Sequence, residues 1–252
     1  MRFRRKGMVG VLAAGLAMAT PLAFAQGTDD DAFGDRVRAY LLENPEILAE
    51  MQQALEAKRE EAERVAQAAT LEKQADLIFR SENDAVLGNP DGDVTIVEFF
   101  DYNCGFCERA MADMQTVIEA DPDVRFVLKE FPILGPASLD AHTVSMAVAR
   151  IAPDTYDEFH RRLLSGDARA DGDTAVQLAL DLGIDEEALR SAVDDPASQQ
   201  AFAEAYQLAD SLRITGTPSY VVGGEVLFGA VGAEALLERI ERVRSVSSET
   251  TQ

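Results

Sequence analysis

The stretch from Val97 to Met111, VEFFDYNCGFCERAM, contains both cysteines of the 252-residue chain, Cys104 and Cys107. They are separated by two residues and directly follow an apolar run, where a strand-like pattern changes to a helix-like one. A structural disulfide, half of a metal site and a redox centre can each place two cysteines at this spacing. The rest of the sequence has to distinguish these three possibilities.

The elements around the cysteines follow one another in a regular order. Residues 94–100 predict a strand and residues 104–120 predict a helix, which the Asp121-Pro122 step ends. Residues 124–131 predict a second strand. Since strand, helix and strand succeed one another here, we expect a parallel βαβ unit with a right-handed crossover.

The C-terminal half of the chain continues this order. Residues 137–213 carry apolar residues every three or four positions and predict a block of helices. The stretch GTPSYVVGGEVLFGA, residues 216–230, predicts a hairpin with Gly223-Gly224 as its turn. Residues 233–243 predict a final amphipathic helix, and the polar residues 245–252 predict a flexible tail. The order is therefore βαβ, a helical block, then ββα.

The N-terminus is typical of an export signal. A basic segment precedes an uncharged apolar run over residues 7–22 and the small-x-small cleavage motif Ala23-Phe24-Ala25. We therefore expect residues 1–25 to be removed and the mature chain, from Gln26, to be periplasmic, where disulfides persist. A membrane anchor is the alternative, although the apolar run is short for a span of ~20 residues.

The net charge of the chain argues against two classes of binding partner. The formal net charge is −22, and removal of the four cations of the signal segment leaves −26. Such an acidic chain is a poor partner for nucleic acid or for an anionic membrane surface, so we expect neither.

Two cysteines cannot build a multi-bridge scaffold, and the core must therefore form by burial of apolar side chains.

Residues 26–80 are helical in pattern and nearly free of glycine. The stretch LLENPEIL, residues 41–48, contains a stop and a restart, with Asn44 as a cap and Pro45 at the first helical position. A weak heptad pattern follows, with apolar positions Leu48, Met51, Leu55, Ala62, Val65 and Ala69. The pattern fits two structures, a solvated helix packed on its own domain and an oligomerising stalk. Residues 87–93, LGNPDGD, predict the loop between this segment and the globular part.

Cys104 stands at the start of the predicted helix, and Cys107 lies one turn further in. A cysteine attacks as its thiolate, and an ordinary thiol with a pKa of ~8.5 is mostly protonated at neutral pH. The unpaired N–H groups and the dipole at a helix start favour negative charge there. We therefore expect Cys104 to be an exposed nucleophile of lowered pKa and Cys107 to be the resolving thiol. Gly105 would allow close approach of a client, and Phe106 would offer it apolar surface.

The alternative chemistries of the two thiols depend on ligand count. Structural zinc needs four ligands, and the only histidines, His142 and His160, lie in the helical block at no recognised finger spacing. Copper(I) prefers soft thiolates and needs fewer ligands, so copper binding by Cys104 and Cys107 stays open. A structural disulfide that closes a four-residue loop would stabilise the fold little.

Two further positions fit a redox site. Glu98 alternates with three apolar residues along its strand. If that face is covered, burial raises the pKa of the carboxyl group, which could then exchange protons with Cys107. A solvated glutamate on an open sheet face is the alternative. Thr217-Pro218 precedes a hairpin strand and is a candidate cis bond that leaves the Thr217 backbone free for an extended substrate, although most X-Pro bonds are trans.

Three stretches resemble the exported thiol–disulfide interchange proteins of the DsbA type, namely VTIVEFFDYNCGFC, VRFVLKEFPILGP and GTPSYVVGG. The resemblance implies an α/β protein with a thioredoxin fold, βαβ…ββα, and a helical domain inserted between its two halves. We therefore expect a DsbA-like domain over residues 81–244. The resemblance also implies four roles: an attacking cysteine (Cys104), its partner (Cys107), a buried acid (Glu98) and a cis-proline loop facing the disulfide (Thr217-Pro218).

Within that family the sequence departs from the strong oxidases, which carry Pro-His between the cysteines and usually valine before the cis-proline. Gly105-Phe106 and Thr217 look more like the isomerase branch, in which Gly-Tyr is usual. The N-terminal extension resembles the ScsC-like proteins, some of which are trimers through that segment. The resemblance thus implies a homo-oligomer, with a trimer favoured, assembled through residues 26–80.

These features predict an exported thiol–disulfide oxidoreductase that acts on protein disulfides as an isomerase or reductase. The redox-active disulfide Cys104–Cys107 would make a dissociable cofactor unnecessary. The expected partners are secreted or periplasmic clients with cysteines and a membrane redox protein that resets the pair. A DsbA-like oxidase, a copper(I)-binding protein and a purely oligomeric scaffold are the alternatives.

Overall fold

The computed structural model describes residues 27–250, which divide between Arg59 and Glu60 into two compact units. The segment predicted to be a signal peptide, residues 1–25, lies outside the described residues. Among residues 27–250, no helix is both long and apolar enough to cross a membrane.

The first unit contains α1 (Gly27–Glu43) and the beginning of α2 (Glu46–Lys73). The predicted break lies between them. The Asn44 side-chain amide donates to the Tyr40 carbonyl oxygen at 2.8 Å, and the Asn44 backbone N–H donates to the same oxygen at 3.0 Å. Asn44 therefore closes α1 rather than capping α2. The helix stops here because Pro45 disfavours helical geometry in the residue before it.

Large apolar side chains of the first unit lie at the surface. Leu48 is 63% exposed, Met51 is 59% exposed and Leu55 is 49% exposed, and these are the first three positions of the weak heptad. The other exposed large apolar side chains of the first unit are Phe33, Val37, Tyr40, Leu41 and Leu42. Exposed apolar side chains that recur along a helix are typical of an interaction surface.

The second unit begins within α2 at Glu60, earlier than residue 81, where the resemblance led us to expect the DsbA-like domain to begin. Leu71, near the end of α2, and Ile78, in the short helix α3 (Ala75–Phe79), are both buried. They belong to one apolar cluster with Phe99 and other side chains of the sheet. The last part of the predicted stalk therefore contributes to the core of the globular unit.

A five-stranded sheet forms the centre of the second unit. Its strands are β1 (Ala85–Gly88), β2 (Val94–Phe100), β3 (Val124–Glu130), β4 (Ser219–Val222) and β5 (Glu225–Phe228), in the order β1-β3-β2-β4-β5. The pair β2–β3 is parallel and the other pairs are antiparallel. The predicted strand–helix–strand unit and the C-terminal hairpin are thereby confirmed.

Strand β1 corrects the sequence analysis, which placed a loop from residue 87 onward. Only four residues form this strand, and turn-forming residues follow at once, so the local pattern resembles a loop. Its pairing partner is distant in sequence, since Ala85 lies opposite Leu128. Gly88 has φ +75°, and a Cβ there would stand 2.6 Å from the Val124 carbonyl oxygen, so this close crossing requires glycine.

Helices surround the sheet in the predicted order. The crossover between β2 and β3 is α4 (Gly105–Ala120). The inserted block consists of α5 (Pro136–Ile151), α6 (Pro153–Leu164), α7 (Gly172–Asp181), α8 (Glu186–Val193) and α9 (Ala197–Ser211). The last helix is α10 (Ala233–Thr250).

Helix α10 continues to Thr250, whereas the sequence pattern predicted a helix over residues 233–243. Arg244 anchors this end of the chain to the sheet region. Its guanidinium group binds the carboxylates of Asp93 at 2.6 Å and Asp121 at 2.5 Å. Within α10 the hydroxyl of Ser245 donates back to the carbonyl oxygen of Arg242 at 2.8 Å.

Strand β2 has buried side chains on both faces, as is typical of a central strand. On one face Ile96 and Phe100 belong to a large apolar cluster with α4 and the helical block. On the other face Val97 and Phe99 belong to a second cluster with α9. The carboxyl end of this rigid strand leads directly into the two cysteines, so packing from both sides determines where they lie.

Candidate active site

Cys104 is the N-cap residue of α4 and has extended backbone geometry. Its backbone N–H donates to the Asp101 carbonyl oxygen at 3.0 Å, and its own carbonyl oxygen accepts from the Cys107 N–H at 2.8 Å. The Cys104 Sγ lies 3.2 Å from the Thr217 carbonyl oxygen, to which it donates when it is protonated. Both cysteines are free thiols in this structure.

The two thiols differ from the expected exposure. Cys104 is only 9% exposed and Cys107 is 0% exposed. The expectation of a freely exposed nucleophile was therefore wrong. The loop that contains Thr217 approaches Cys104 and leaves only part of that residue accessible, and the sequence gives no sign of this contact because 113 positions separate the two residues.

The pKa values of the two thiols are shifted in opposite directions. A hydrogen bond from the Cys107 thiol is the main cause that lowers the pKa of Cys104 to about 5. The Thr217 side chain and the backbone N–H groups of Cys107 and Phe106 add to it, and burial opposes it. The pKa of Cys107 is raised, first by that same hydrogen bond and then by burial and the Glu98 charge. At neutral pH, Cys104 is therefore mostly thiolate and Cys107 holds its proton.

Glu98 lies in the middle of β2 and is 3% exposed. Its neighbours across the sheet are Leu128 on β3 and Tyr220 on β4. Burial raises the pKa of the Glu98 carboxyl group to about 8, and the charges of Asp113 and Cys104 contribute. The alternative of a solvated glutamate was therefore wrong, because α4 and its neighbours cover this face of the sheet.

The Thr217–Pro218 peptide bond is cis, as the resemblance implied. The loop is tied at both sides. The Pro218 carbonyl oxygen accepts from the Gly229 N–H at 2.9 Å, and the Ser219 hydroxyl donates to the Gly216 carbonyl oxygen at 2.8 Å. The loop thus holds Thr217 beside Cys104. Pairing of the Thr217 backbone with a client stays a prediction.

The surface next to Cys104 is open and partly apolar. Gly105 is exposed, and a Cβ added to it would meet nothing within 4 Å. Phe106 is 57% exposed, and the Arg109 guanidinium carbon lies 4.4 Å from its ring centroid. Ile133 and Leu134, two further exposed apolar residues, lie beside the active-site loop because their N–H groups donate to the Asp101 carboxylate. The sequence analysis did not single out this second pair.

The sequence analysis also missed a buried polar cluster behind the cysteines. It joins the active-site loop to β3, α5 and α6, and its members are Tyr102, Glu130, His142, Ser145, Tyr156 and His160. The sequence offered one signal, since the chain contains only two histidines and both lie in the helical block. Across residues 27–250, no group of three or more metal-ligating side chains is arranged to hold an ion.

Comparison with known families agrees with this geometry. Residues 95–241 match the model of the DSBA-like thioredoxin domain, and residues 29–62 match that of the copper resistance protein ScsC N-terminal domain. The predicted thioredoxin fold with an inserted helical block and an N-terminal helical segment is confirmed. The two matches follow the same order along the chain as the segments that the sequence analysis separated.

A solved structure and two curated proteins illustrate the similarity. A thioredoxin-like oxidoreductase from Silicibacter pomeroyi DSS-3 is 39% identical, with a TM-score of 0.64 over 68% of this chain and 97% of that one. The disulfide bond formation protein D of Bacillus subtilis (strain 168) is 27% identical over 62% of this chain and 75% of its own length. The Na(+)/H(+) antiporter NhaA 1 of Mycobacterium sp. (strain KMS) is 28% identical over 65% of this chain, which spans only 27% of the antiporter.

Proposed function

Because the chain belongs to the family of DSBA-like thioredoxin domains, we propose that it is an exported thiol–disulfide oxidoreductase that acts on protein disulfides as an isomerase or reductase. The observation that carries this proposal is the opposite ionisation of two adjacent thiols. Cys104, with its pKa lowered to about 5, is a thiolate at neutral pH, whereas Cys107 is buried and protonated. This pairing supplies a nucleophile and a second thiol that reacts later.

In the proposed reaction the Cys104 thiolate attacks one sulfur of a client disulfide. The client S–S bond breaks, a mixed disulfide forms, and the other client sulfur leaves as a thiolate. If a client thiolate then attacks the client sulfur of the mixed disulfide, a new client disulfide forms, Cys104 is released and no net oxidation occurs. If Cys107 attacks Cys104 instead, the client leaves reduced and the Cys104–Cys107 disulfide takes up the oxidation.

Glu98 is proposed to accept the proton that Cys107 loses when it attacks. The Glu98 carboxyl group has a pKa raised to about 8, and its charge in turn raises the pKa of Cys107, so the two groups interact electrostatically. A carboxyl group with a pKa near the working pH can both accept and return a proton. No dissociable cofactor enters this scheme, since the redox-active pair belongs to the chain.

The isomerase direction is supported by residues at the site. The lowered pKa of Cys104 stabilises the reduced pair in isomerases and strong oxidases alike, so the direction is argued from the residues around the thiols. The exposed ring of Phe106 and the open space around Gly105 suit binding of an unfolded client. Gly-Phe between the cysteines and Thr217 before the cis-proline are the features that resemble isomerases rather than strong oxidases.

The first unit is proposed to assemble several copies of the chain, with a trimer favoured. The exposed side chains of Leu48, Met51 and Leu55 and the match of residues 29–62 to an ScsC N-terminal domain support this. Several catalytic units on one assembly would raise the local concentration of attacking thiols around a client. The proposed setting is the periplasm, with cysteine-containing clients and a membrane redox protein that resets the pair.

Copper(I) binding is the second candidate. One observation favours it, the match of residues 29–62 to a domain described as part of a copper resistance protein. The thiolate of Cys104 and its neighbour Cys107 are soft donors of the kind that copper(I) prefers. This candidate predicts stoichiometric copper uptake without turnover of disulfides.

The test is reactivation of scrambled ribonuclease by the mature chain, Gln26 to Gln252, in a glutathione buffer. We expect recovery well above that in buffer alone and none with Cys104→Ala. Failure of this recovery together with oxidation of reduced ribonuclease would instead identify an oxidase. Failure of both reactions, with stoichiometric binding of copper(I), would identify a copper-binding protein.

A further inference from the structure

The loop between β2 and α4, residues 101–104, is held by side chains and backbone groups outside the βαβ unit. The Asp101 carboxylate accepts four hydrogen bonds, from the N–H groups of Asn103, Ile133 and Leu134 and from the Ser138 hydroxyl. The Asn103 amide donates to the Ser138 hydroxyl at 2.9 Å and to the Ala170 carbonyl oxygen at 2.8 Å. The helical block therefore helps to position the residues that lead into Cys104.

His142, on α5, makes a further contact with this loop and is 0% exposed. Its Nε2 lies 3.1 Å from the Tyr102 backbone nitrogen, and its Nδ1 contacts the Glu130 carboxylate. A backbone N–H only donates, so Nε2 must carry a lone pair rather than a proton. The ring proton is therefore on Nδ1 and is donated to Glu130. One neutral tautomer satisfies both contacts.

The other partners of Glu130 lock that arrangement. The Ser145 hydroxyl donates to the Glu130 carboxylate at 2.6 Å, so its oxygen is left to accept from the Tyr102 hydroxyl at 2.7 Å. The Tyr102 oxygen in turn accepts from His160 Nδ1 at 3.0 Å. Burial lowers the pKa of His160 to about 3, so this ring is neutral as well. Each member then has a donor or an acceptor where its neighbour requires one.

We propose that His142 is a positioning residue for the attacking thiol and acts through the backbone N–H of Tyr102. This inference rests on the proposed role of Cys104. Tyr102 stands two residues before Cys104, and the thiolate depends on donors whose distances change when the loop shifts. Loss of the Nε2 acceptor leaves a buried N–H unpaired, and the loop moves to satisfy it.

Two substitutions of His142 distinguish the role of Nδ1, which contacts Glu130, from that of Nε2, which contacts Tyr102. The amide of His142→Asn lies near the place of Nδ1, so it can donate to Glu130 but leaves the Tyr102 N–H without an acceptor. The amide of His142→Gln reaches the place of Nε2, so its oxygen can accept from Tyr102. Tyr156→Phe is the matched control, because it removes a hydroxyl that interacts with Glu130 at 3.3 Å and with the Tyr102 hydroxyl, while the Tyr102 N–H keeps its acceptor on His142.

The measurement is the pKa of Cys104 in the reduced, full mature protein, from the pH dependence of thiolate absorbance and of alkylation rate. We expect His142→Asn to raise this pKa by about one unit, a tenfold change in the thiolate equilibrium. His142→Gln and Tyr156→Phe should leave it close to that of the unsubstituted protein. Near-ultraviolet circular dichroism checks that each variant is folded.

Other outcomes overturn the inference. Equal shifts in the Asn and Gln variants would mean that His142 acts by packing alone, and no shift in either would remove any positioning role. If the unsubstituted protein has an ordinary Cys104 pKa, the proposed function itself fails. Should His142→Asn not fold, the ¹⁵N resonance of Nε2 in the unsubstituted protein decides: an unprotonated nitrogen supports the inference and a protonated one overturns it.

Discussion

The two units of this chain differ in which side chains they expose and which they bury. In the first unit, large apolar side chains such as Leu48 lie mainly in solvent. In the second unit, carboxyl groups such as Glu98 and Glu130 are almost completely buried. Exposed apolar surface favours association with another molecule. Burial of a charged group shifts its pKa and makes its hydrogen bonds costly to lose. The first arrangement thus suits assembly, and the second suits thiol chemistry.

Among the substitutions that test this difference between the two units, Glu130→Gln is expected to have the largest effect, a loss of folding stability. It removes a buried carboxylate, 6% exposed, that accepts from His142, Ser145 and Tyr156. Loss of these hydrogen bonds to a buried charged acceptor should lower the free energy of unfolding by about 3 kcal/mol, measured by urea denaturation of the reduced protein. Glu158→Gln is the control, because its half-exposed pair with Arg162 at 3.5 Å should contribute at most about 0.5 kcal/mol. Equal losses in the two variants would contradict the importance of the buried cluster.

Cys107→Ala should produce the next largest effect. The Cys107 thiol is the main cause of the lowered pKa of Cys104, so its removal should raise that pKa from about 5 by about two units. The variant should also accumulate mixed disulfides with clients, because no resolving thiol is left. Cys107→Ser keeps a donor at this position and should raise the pKa less. An unchanged titration in the alanine variant would assign the low pKa to the helix start alone.

Glu98→Gln should change how stability depends on pH. The folded-state pKa of Glu98, raised to about 8, lies above its unfolded value, so the folded protein binds one more proton between these two values. Stability should therefore fall as pH rises through that window, by at most about 1.4 kcal/mol per pH unit. The Glu98 carboxyl group also interacts electrostatically with four other titratable groups, those of Asp113, Cys104, Cys107 and Tyr220.

The measurement for Glu98 is the difference in unfolding free energy between the unsubstituted protein and Glu98→Gln from pH 5 to pH 8. The variant should lose less stability than the unsubstituted protein as pH rises. Glu119→Gln, at an exposed position of the crossover helix α4, is the control and should give a constant difference. Parallel curves for Glu98→Gln would mean that this carboxyl group is ionised in the folded protein.

The smallest effect on folding is expected from the first unit. Leu48→Glu combined with Leu55→Glu places charges on exposed positions, so the free energy of unfolding of the second unit should change by no more than about 0.5 kcal/mol. Light scattering should nevertheless show a smaller particle, because the proposed association surface is disrupted. Gln52→Glu, between the two positions, is the charge control. An unchanged particle size in the double variant would contradict assembly through this surface.

The sequence predicted most of the element order because that order depends on local patterns. The alternation in residues 94–100 and the breaking step Asp121-Pro122 mark strand and helix limits within a few residues. The short strand β1 escaped detection because it pairs with β3, which lies far along the chain, with Ala85 opposite Leu128. The continuation of α10 also escaped, since the ion pairs of Arg244 join it to distant carboxylates.

The roles predicted for Gly105, Phe106, Thr217 and the two cysteines are still predictions, as are the signal peptide, the trimer and the client class. The structure describes the surroundings of some of these residues. It places Thr217 and Cys104 within 3.2 Å of each other. For Phe106 it establishes only that the ring is exposed next to the thiols.

The sequence by itself determined the succession of strands and helices and the position of Cys104 and Cys107 at a helix start, because each depends on residues close together in the chain. Only the tertiary structure decided how acidic these groups are. Burial of Glu98, the approach of Thr217 to Cys104 and the contact of His142 with Tyr102 join residues that are far apart in sequence. Desolvation and hydrogen bonding act over a few ångströms in space, so they become defined only when the fold brings these residues together.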